Sequence, residues 1–172
     1  IHFLINALGC VPQPRPRLVW VGNAADESYL AELMRLAQEQ QVEFVPQVNI
    51  SDGELIDLLN RAAAMLYAPR LEPFGYAPLE AGACGCPVIT VFEGGMKETV
   101  VDGSNGLVTD PDPAVMAVAL TRLLAEPALA ERLGSQARRF VQERFSLPAA
   151  IDRIEAEMEA VAARHRPQES AA

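Results

Sequence analysis

Short apolar runs that alternate with helical patterns are the feature that most constrains how this chain can fold. Runs of three to five residues predict strands over residues 18–21, 42–45, 64–68, 87–91 and 107–109. Amphipathic spacing predicts helices over residues 1–9, 26–40, 52–62, 76–84 and most of 113–165. Strands that alternate with helices form βαβ units, whose strands pair in parallel. The pattern therefore predicts an α/β fold, a Rossmann-like parallel sheet flanked by helices.

One domain accounts for nearly the whole chain. A length of 172 residues is typical of a single domain, which we expect over residues 1–166, followed by a disordered tail over 167–172. Ser51 and Glu54 have the spacing of a capping box, which predicts where the third helix begins. Four apolar side chains of that helix are expected to face the core: Leu55, Ile56, Leu58 and Leu59.

Charge and composition exclude several classes of function. The formal net charge of −9 argues against a nucleic-acid partner, because phosphate attraction needs a basic field. No apolar run approaches the roughly 20 residues that span a bilayer. The three cysteines lack disulfide or zinc spacing, which favours buried thiols in the cytoplasm. His2 and His165 lie at the two extremes of the chain, so a histidine-based catalytic triad is not expected.

The loop after the third strand carries the strongest chemical signal. Gly75 permits a close backbone approach, and Pro78 suits the first turn of a helix, where no N–H partner is needed. The N–H groups of Gly75, Tyr76, Ala77 and Leu79 would then lie unpaired at a helix N-terminus. Such an end attracts anions, so the loop predicts a diphosphate site even in an acidic chain.

Two carboxylates frame this loop, and two glycines follow the next strand. Glu72 and Glu80 could each accept hydrogen bonds from sugar hydroxyls. Alternatively, both acids only favour the helix dipole and face water. Gly94 and Gly95 could form a second anion-binding turn, or simply a turn.

Four sequence blocks together resemble a known enzyme family. They are EPFGYAPLEA over residues 72–81, CGCPVI over 84–89, GGMKE over 94–98 and DGSNGLV over 102–108. In this order they resemble the C-terminal, donor-binding domain of retaining GT-B glycosyltransferases of family four. The resemblance implies the C-terminal half of a GT-B fold, with a nucleoside diphosphate sugar as donor substrate and neither a cofactor nor a metal ion.

The resemblance implies roles for the residues of the first block. Glu72 would be the catalytic residue, contacting hydroxyls of the donor sugar. Phe74 and Gly75 would offer their backbone N–H groups to that sugar, and Tyr76 and Ala77 would offer theirs to the diphosphate.

Other positions would surround the rest of the donor. Glu80 would hold the ribose diol, and Gln47 and Val48, after the second strand, would contact the base. The role of Arg70 stays open between ligand contact and solvent exposure. Three residues would line the opposite side of the cleft: Gly94, Gly95 and Glu98.

The resemblance also implies parts that precede this segment in the family. A first strand, an arginine and a lysine that neutralise the diphosphate, and an N-terminal acceptor domain would all lie upstream of residue 1. We therefore expect a fragment, inactive alone, with membrane association only through that absent domain. The alternatives are a stand-alone nucleotide or nucleotide-sugar binding module without catalysis, or a different GT-B reaction such as that of a glycogen-synthase-like enzyme.

The last helix has an apolar stripe at helical spacing. Its members are Ile151, Ile154, Met158 and Val161. Either the stripe packs on its own domain, or the helix crosses back to the N-terminal domain and leaves part of the stripe exposed, where it could form a homodimer.

Overall fold

A computed structural model describes residues 1–164 of the chain. His165 and the predicted tail over residues 167–172 lie outside the described residues. Within 1–164 the strands are β1 (Leu18–Gly22), β2 (Phe44–Val48), β3 (Met65–Tyr67), β4 (Val88–Val91) and β5 (Gly106–Thr109). The helices are α1 (His2–Cys10), α2 (Glu27–Glu39), α3 (Asp52–Arg61), α4 (Tyr76–Ala83), α5 (Met96–Thr99), α6 (Pro113–Ala125), α7 (Pro127–Phe145) and α8 (Leu147–Arg164).

All strand pairs are parallel, but they form two separate sheets. β1 pairs with β2, with Leu18 opposite Phe44. The second sheet has the order β3-β4-β5, with Leu66 opposite Ile89 and Ile89 opposite Leu107. No ladder joins β1 to β3 among the described residues. The predicted α/β fold with parallel strands and flanking helices is confirmed, while the sheet is divided where the strand order reverses.

Helices cover both faces of the strands. On one face α1 contacts α2 and α6, and on the other α4 contacts α7. Leu59 of α3 packs against the apolar cluster that contains Ala81 of α4, so α3 lies on the α4 face of the strands, whereas α2 lies on the α1 face. In doubly wound folds ligands bind near this change of direction, outside the carboxyl ends of the strands. The loop that follows β3 therefore lies at the expected binding edge.

One large apolar core joins the two sheets. It contains Ile5 and Leu8 of α1, Leu33 of α2, Ile89 of β4 and Met116 of α6. The partly buried Trp20 packs against this core, as a mid-strand aromatic would. A smaller cluster lies under α3 and α4: Ala81, Cys86, Val88 and Val100. Burial raises the pKa of the Cys86 thiol to about 11.

Two details of the predicted elements were wrong. β2 continues to Val48 although Pro46 lies within it, because β2 is an edge strand and a proline there removes no ladder bond. The capping box is confirmed, with both the Ser51 and Glu54 hydrogen bonds present, but no residue of α3 is fully buried. Ile56 in particular is half exposed. Periodicity identifies the side of a helix that faces a sheet, but not how much protein lies beneath it.

The last helix lies on the outside of the fold. α8 contacts α7, yet none of its residues is buried. Ile154 is 60% exposed and Met158 is 67% exposed. The stripe is thus exposed rather than packed on its own domain.

Among residues 1–164 no single helix is long and apolar enough to cross a membrane; only α6 and α7 together pass that test, as a pair bent by 102°.

Candidate functional site

The loop after β3 folds around the Glu72 side chain. β3 ends at Tyr67, and the chain then turns at Leu71, whose φ is +58°. The Tyr67 hydroxyl donates to Glu72 Oε2 at 3.3 Å, and the Gly75 N–H donates to Glu72 Oε1 at 3.1 Å. The carboxylate thus bridges the end of a strand and the start of the next helix.

The N-terminus of α4 follows directly. Gly75 is the N-cap residue with φ +85°, a conformation that side chains rarely adopt. Its N–H is bound by Glu72, so it is not unpaired as predicted, because the loop turns back on itself. Among residues 1–164, the N–H groups of Tyr76 and Ala77 have no protein acceptor. Tyr76 is 72% exposed, which leaves this end of the helix open to a ligand.

A second loop packs directly against the first. We call residues 70–75 and 92–95 the paired loops. The Gly95 N–H donates to the Glu72 carbonyl at 3.1 Å. A Cβ on Gly94 would overlap that same carbonyl oxygen, and one on Gly95 would overlap the Pro73 carbonyl oxygen. This pair of glycines is therefore required by close backbone approach, beyond the needs of an ordinary turn.

Side-chain contacts also stabilise the paired loops. The Phe74 ring lies 6.0 Å from the Phe145 ring at the end of α7 and 5.2 Å from the Tyr76 ring. The Glu93 carboxylate accepts a hydrogen bond from the Leu71 N–H. Below Gly75 lies the buried Met96 side chain, which fills the space that a Cβ would need.

The electrostatics of the site are dominated by acids. Burial raises the pKa of the Tyr67 hydroxyl, and the charges of Glu72 and Glu80 raise it further. Glu72 accepts the N–H of Gly75, the N-cap residue of α4, and Glu80 lies in the second turn of the same helix. The segment 67–98 contains two cations, Arg70 and Lys97, and the ammonium of Lys97 lies 4.4 Å from the centre of the Phe92 ring.

Some predicted site residues are brought together and others are not. The paired loops and the start of α4 unite six of them: Glu72, Phe74, Gly75, Tyr76, Gly94 and Gly95. Ala77 follows in the first turn of α4, and Glu80 is exposed in its second turn. Glu98 is exposed on α5 and contributes a backbone N–H bond to Gly95.

Gln47 and Val48 stand apart from this group. They lie within β2 rather than after it, opposite Val21 and Gly22. They lie at the carboxyl end of β2, and no hydrogen bond joins them to the paired loops among the described residues. Nor do residues 1–164 contain a group of three acidic, histidine or cysteine side chains placed to hold a metal ion.

Three residues at the site were missed by sequence reasoning. The sequence predicts Tyr67 only as part of a strand and predicts no role for Glu93 or Met96. A tyrosine at a strand end and a glutamate before two glycines carry no distinctive spacing. The Tyr67 contact with Glu72 depends on the turn at Leu71, and the contacts of Glu93 with Leu71 and of Met96 with Gly75 arise only when β3 and β4 lie side by side.

The comparison of this chain with known families decides its classification. Residues 1–140 match the family of glycosyl transferases group 1. The chain belongs to this family. The matched range contains every strand and all the predicted site residues.

Individual relatives of the chain agree with this assignment. Alpha-1,3/1,6-mannosyltransferase ALG2 of Rhizomucor pusillus is 38% identical over 120 residues, which cover 70% of this chain and 26% of that protein. A glycogen synthase of Mycobacterium tuberculosis is 40% identical over 149 residues, covering 84% of this chain and 36% of that enzyme.

A solved structure agrees with the fold. HepE of Anabaena, crystallised in complex with UDP-glucose, superposes with a TM-score of 0.79 at 26% identity. The match covers 92% of this chain and 44% of HepE. The chain described here thus spans less than half the length of each of these three relatives.

Proposed function

We propose that this chain binds a nucleoside diphosphate sugar and forms the donor half of a retaining glycosyltransferase. The observation that carries the proposal is the open start of α4, where the Tyr76 and Ala77 N–H groups lack an acceptor within residues 1–164 and lie next to the Glu72 carboxylate. The N-terminus of a helix attracts anions, so it suits a diphosphate. The complex of the related HepE with UDP-glucose supports the same ligand class.

In this proposal, different charges of the site bind different groups of the donor. The diphosphate would accept hydrogen bonds from Tyr76 and Ala77, since an anion is repelled by carboxylates and attracted by amides. Glu72 would accept from hydroxyls of the sugar, and Glu80 from the ribose diol. During transfer, negative charge develops on the departing diphosphate, and fixed amide dipoles would stabilise that charge.

The remaining predicted contacts complete the donor site in this proposal. Gly94, Gly95 and Glu98 would line the side opposite α4, where the absence of a Cβ lets the loops close together. Gln47 and Val48 would approach the base from the carboxyl end of β2. The proposal uses no metal ion and no cofactor, since the amides and the donor itself supply the required chemistry.

Sugar transfer requires an acceptor site, which we place in an N-terminal domain of the complete protein. Two observations support this: the chain spans less than half of its relatives, and the apolar side chains of α8 are exposed. In the proposal α8 packs against that domain, and any contact with a membrane is made through it. A homodimer through α8 is the alternative arrangement. The free cysteines support a cytoplasmic location.

Titration calorimetry of the 172-residue chain tests the donor site. The ligands are UDP-glucose, GDP-mannose and ADP-glucose, with free glucose as the negative control. We expect weak binding of at least one nucleotide sugar at millimolar concentration and none of glucose. If no nucleotide sugar binds, the donor-site proposal is wrong for this chain.

Matched glutamate variants test the assignment of the carboxylates. Glu80→Gln should lower the affinity for the nucleotide sugar by at least about tenfold, since a hydrogen bond to a charged group contributes roughly 1.5–3 kcal/mol. Glu27→Gln is the control, because Glu27 is an exposed acid in the first turn of α2. Equal affinity of both variants would support the alternative that Glu80 only favours its helix dipole.

A further inference from the structure

The Glu72 carboxylate is held at both of its oxygens. Tyr67 donates to Oε2 at 3.3 Å from the end of β3, and Gly75 donates to Oε1 at 3.1 Å from the start of α4. An ionised carboxylate has about four acceptor positions on its two oxygens. Two positions are used by the protein, and two remain for hydroxyls of a ligand.

Each of the two donors fixes a different aspect of the side chain. The Gly75 N–H belongs to the main chain, so every side-chain substitution except proline preserves it. The Tyr67 hydroxyl stands on a half-buried ring and holds the other oxygen. Without it, the long glutamate side chain could rotate about its own bonds while keeping the Gly75 contact, and binding a sugar would then cost the entropy of ordering it again.

We propose that Tyr67 is a positioning residue of the donor site, which orients Glu72 toward the hydroxyls of the bound sugar. This inference rests on the proposed function. It gives the tyrosine no contact with the nucleotide. Its effect should therefore appear only for ligands that carry a sugar beyond the diphosphate.

The electrostatic setting is consistent with a hydroxyl that stays a donor. Burial and the negative charges of Glu72 and Glu80 raise the pKa of Tyr67, so the phenol remains protonated through neutral pH. A phenolate would repel Glu72 and could not donate to it. Arg70, the cation nearest in sequence, is exposed and makes no hydrogen bond with Tyr67 among residues 1–164.

The first experiment compares UDP-glucose with UDP, using the whole chain and its Tyr67→Phe variant. We expect the variant to lose about fivefold in affinity for UDP-glucose, the order of the cost of immobilising one freed glutamate side chain, with UDP affinity unchanged within about twofold. Tyr29→Phe is the matched control, since Tyr29 is a half-buried tyrosine on α2 beside His2. If Tyr67 had a purely structural role, Tyr67→Phe would lower the affinity for UDP and for UDP-glucose equally.

Two further variants test the coupling between the residues. Glu72→Gln removes the charge, and Tyr67→Phe combined with Glu72→Gln should bind UDP-glucose no more weakly than Glu72→Gln alone. The absorbance change on forming tyrosinate, taken as wild type minus Tyr67→Phe, reports Tyr67 itself. Its pKa should fall toward the ordinary value in Glu72→Gln, because one of the causes of the raised pKa is removed.

The outcomes separate this inference from the proposed function. If wild type binds neither UDP nor UDP-glucose, both are overturned. If wild type binds UDP-glucose and Tyr67→Phe binds both ligands as wild type does, the positioning role alone is overturned. An unchanged Tyr67 pKa in Glu72→Gln also overturns the positioning role, whatever the binding results. Loss confined to UDP-glucose, with a lowered pKa, supports it.

Discussion

The paired loops and helix α8 differ in how the rest of the molecule holds them. In the loops, main chain meets main chain: Gly95 donates to the Glu72 carbonyl, and added Cβ atoms on Gly94 or Gly95 would overlap backbone oxygens. On α8, no residue is buried and the large apolar side chains face outward. The loops are therefore specified atom by atom within the domain, whereas α8 presents a surface that another partner could complete.

This difference indicates where substitutions should lower the free energy of unfolding most. Backbone atoms packed against backbone atoms cannot move aside without displacing whole strands, so small changes there are costly. Exposed side chains on a helix have room on the solvent side, so even polar replacements should change stability little. The following substitutions test this contrast, from the largest expected effect to the smallest.

Gly95→Ala should be the most destabilising substitution. A Cβ at this position overlaps the Pro73 carbonyl oxygen and crowds the Phe74 Cα, which are both backbone atoms. We expect a loss of about 3 kcal/mol or more in the free energy of unfolding, measured by urea denaturation.

The control for this change is Gly53→Ala in α3, where an added Cβ meets nothing within 4 Å. Replacing an exposed helical glycine by alanine should raise the free energy of unfolding by about 0.5–1 kcal/mol. If both variants lost the same stability, close packing of the paired loops would not be the reason that Gly95 is a glycine.

Gly75→Ala should have the next largest effect. The backbone there has φ +85°, which is unfavourable for alanine by roughly 1–2 kcal/mol, and the new Cβ meets the end of the flexible Met96 side chain. The expected loss in the free energy of unfolding is about 2 kcal/mol. The companion comparison introduces Gly75→Ala into a Met96→Ala background, where the φ penalty should remain although the crowding is gone; no loss on adding Gly75→Ala there would show that crowding alone was responsible.

Phe74→Leu should cost less and links the two regions. Phe74 pairs edge-on with Phe145, which lies at the end of α7 just before α8 begins. Loss of an aromatic pair costs about 0.5–1.5 kcal/mol beyond burial. Phe145→Leu should give a similar loss, and the double variant should lose less than the sum of the two. Additive losses in this double-mutant cycle would mean that the rings contribute separately.

Ile154→Ser should have the smallest effect on stability. Ile154 is 60% exposed on α8, so the free energy of unfolding should change by less than about 0.5 kcal/mol. The same variant tests self-association by analytical ultracentrifugation. A wild-type dimer that becomes a monomer in Ile154→Ser would place the dimer contact on α8. A loss of stability as large as that of Gly75→Ala would contradict the contrast drawn above.

Much of the fold could be predicted because its signals are local. The Ser51–Glu54 capping box depends on residues three apart, and each strand was recognisable from its own apolar run. The first block of the site could be predicted for the same reason, since Glu72, Gly75 and Tyr76 are close along the chain.

The remainder could not be predicted, because it depends on elements that meet only in space. The Tyr67 contact with Glu72 requires the exact turn at Leu71, and the Glu93 contact with Leu71 requires β3 and β4 to be neighbours. The shallow burial of α3 and the break between β1 and β3 are likewise properties of the assembled sheet.

By itself, the order of apolar runs and turn residues determined the class of fold, the sites of helix starts, and the acids and glycines of the binding loop. Only the tertiary structure decided which groups share a hydrogen bond and which helix face stays exposed. The reason is physical: periodicity and capping act within a few residues, whereas contacts between distant loops depend on how parallel strands place their ends beside one another.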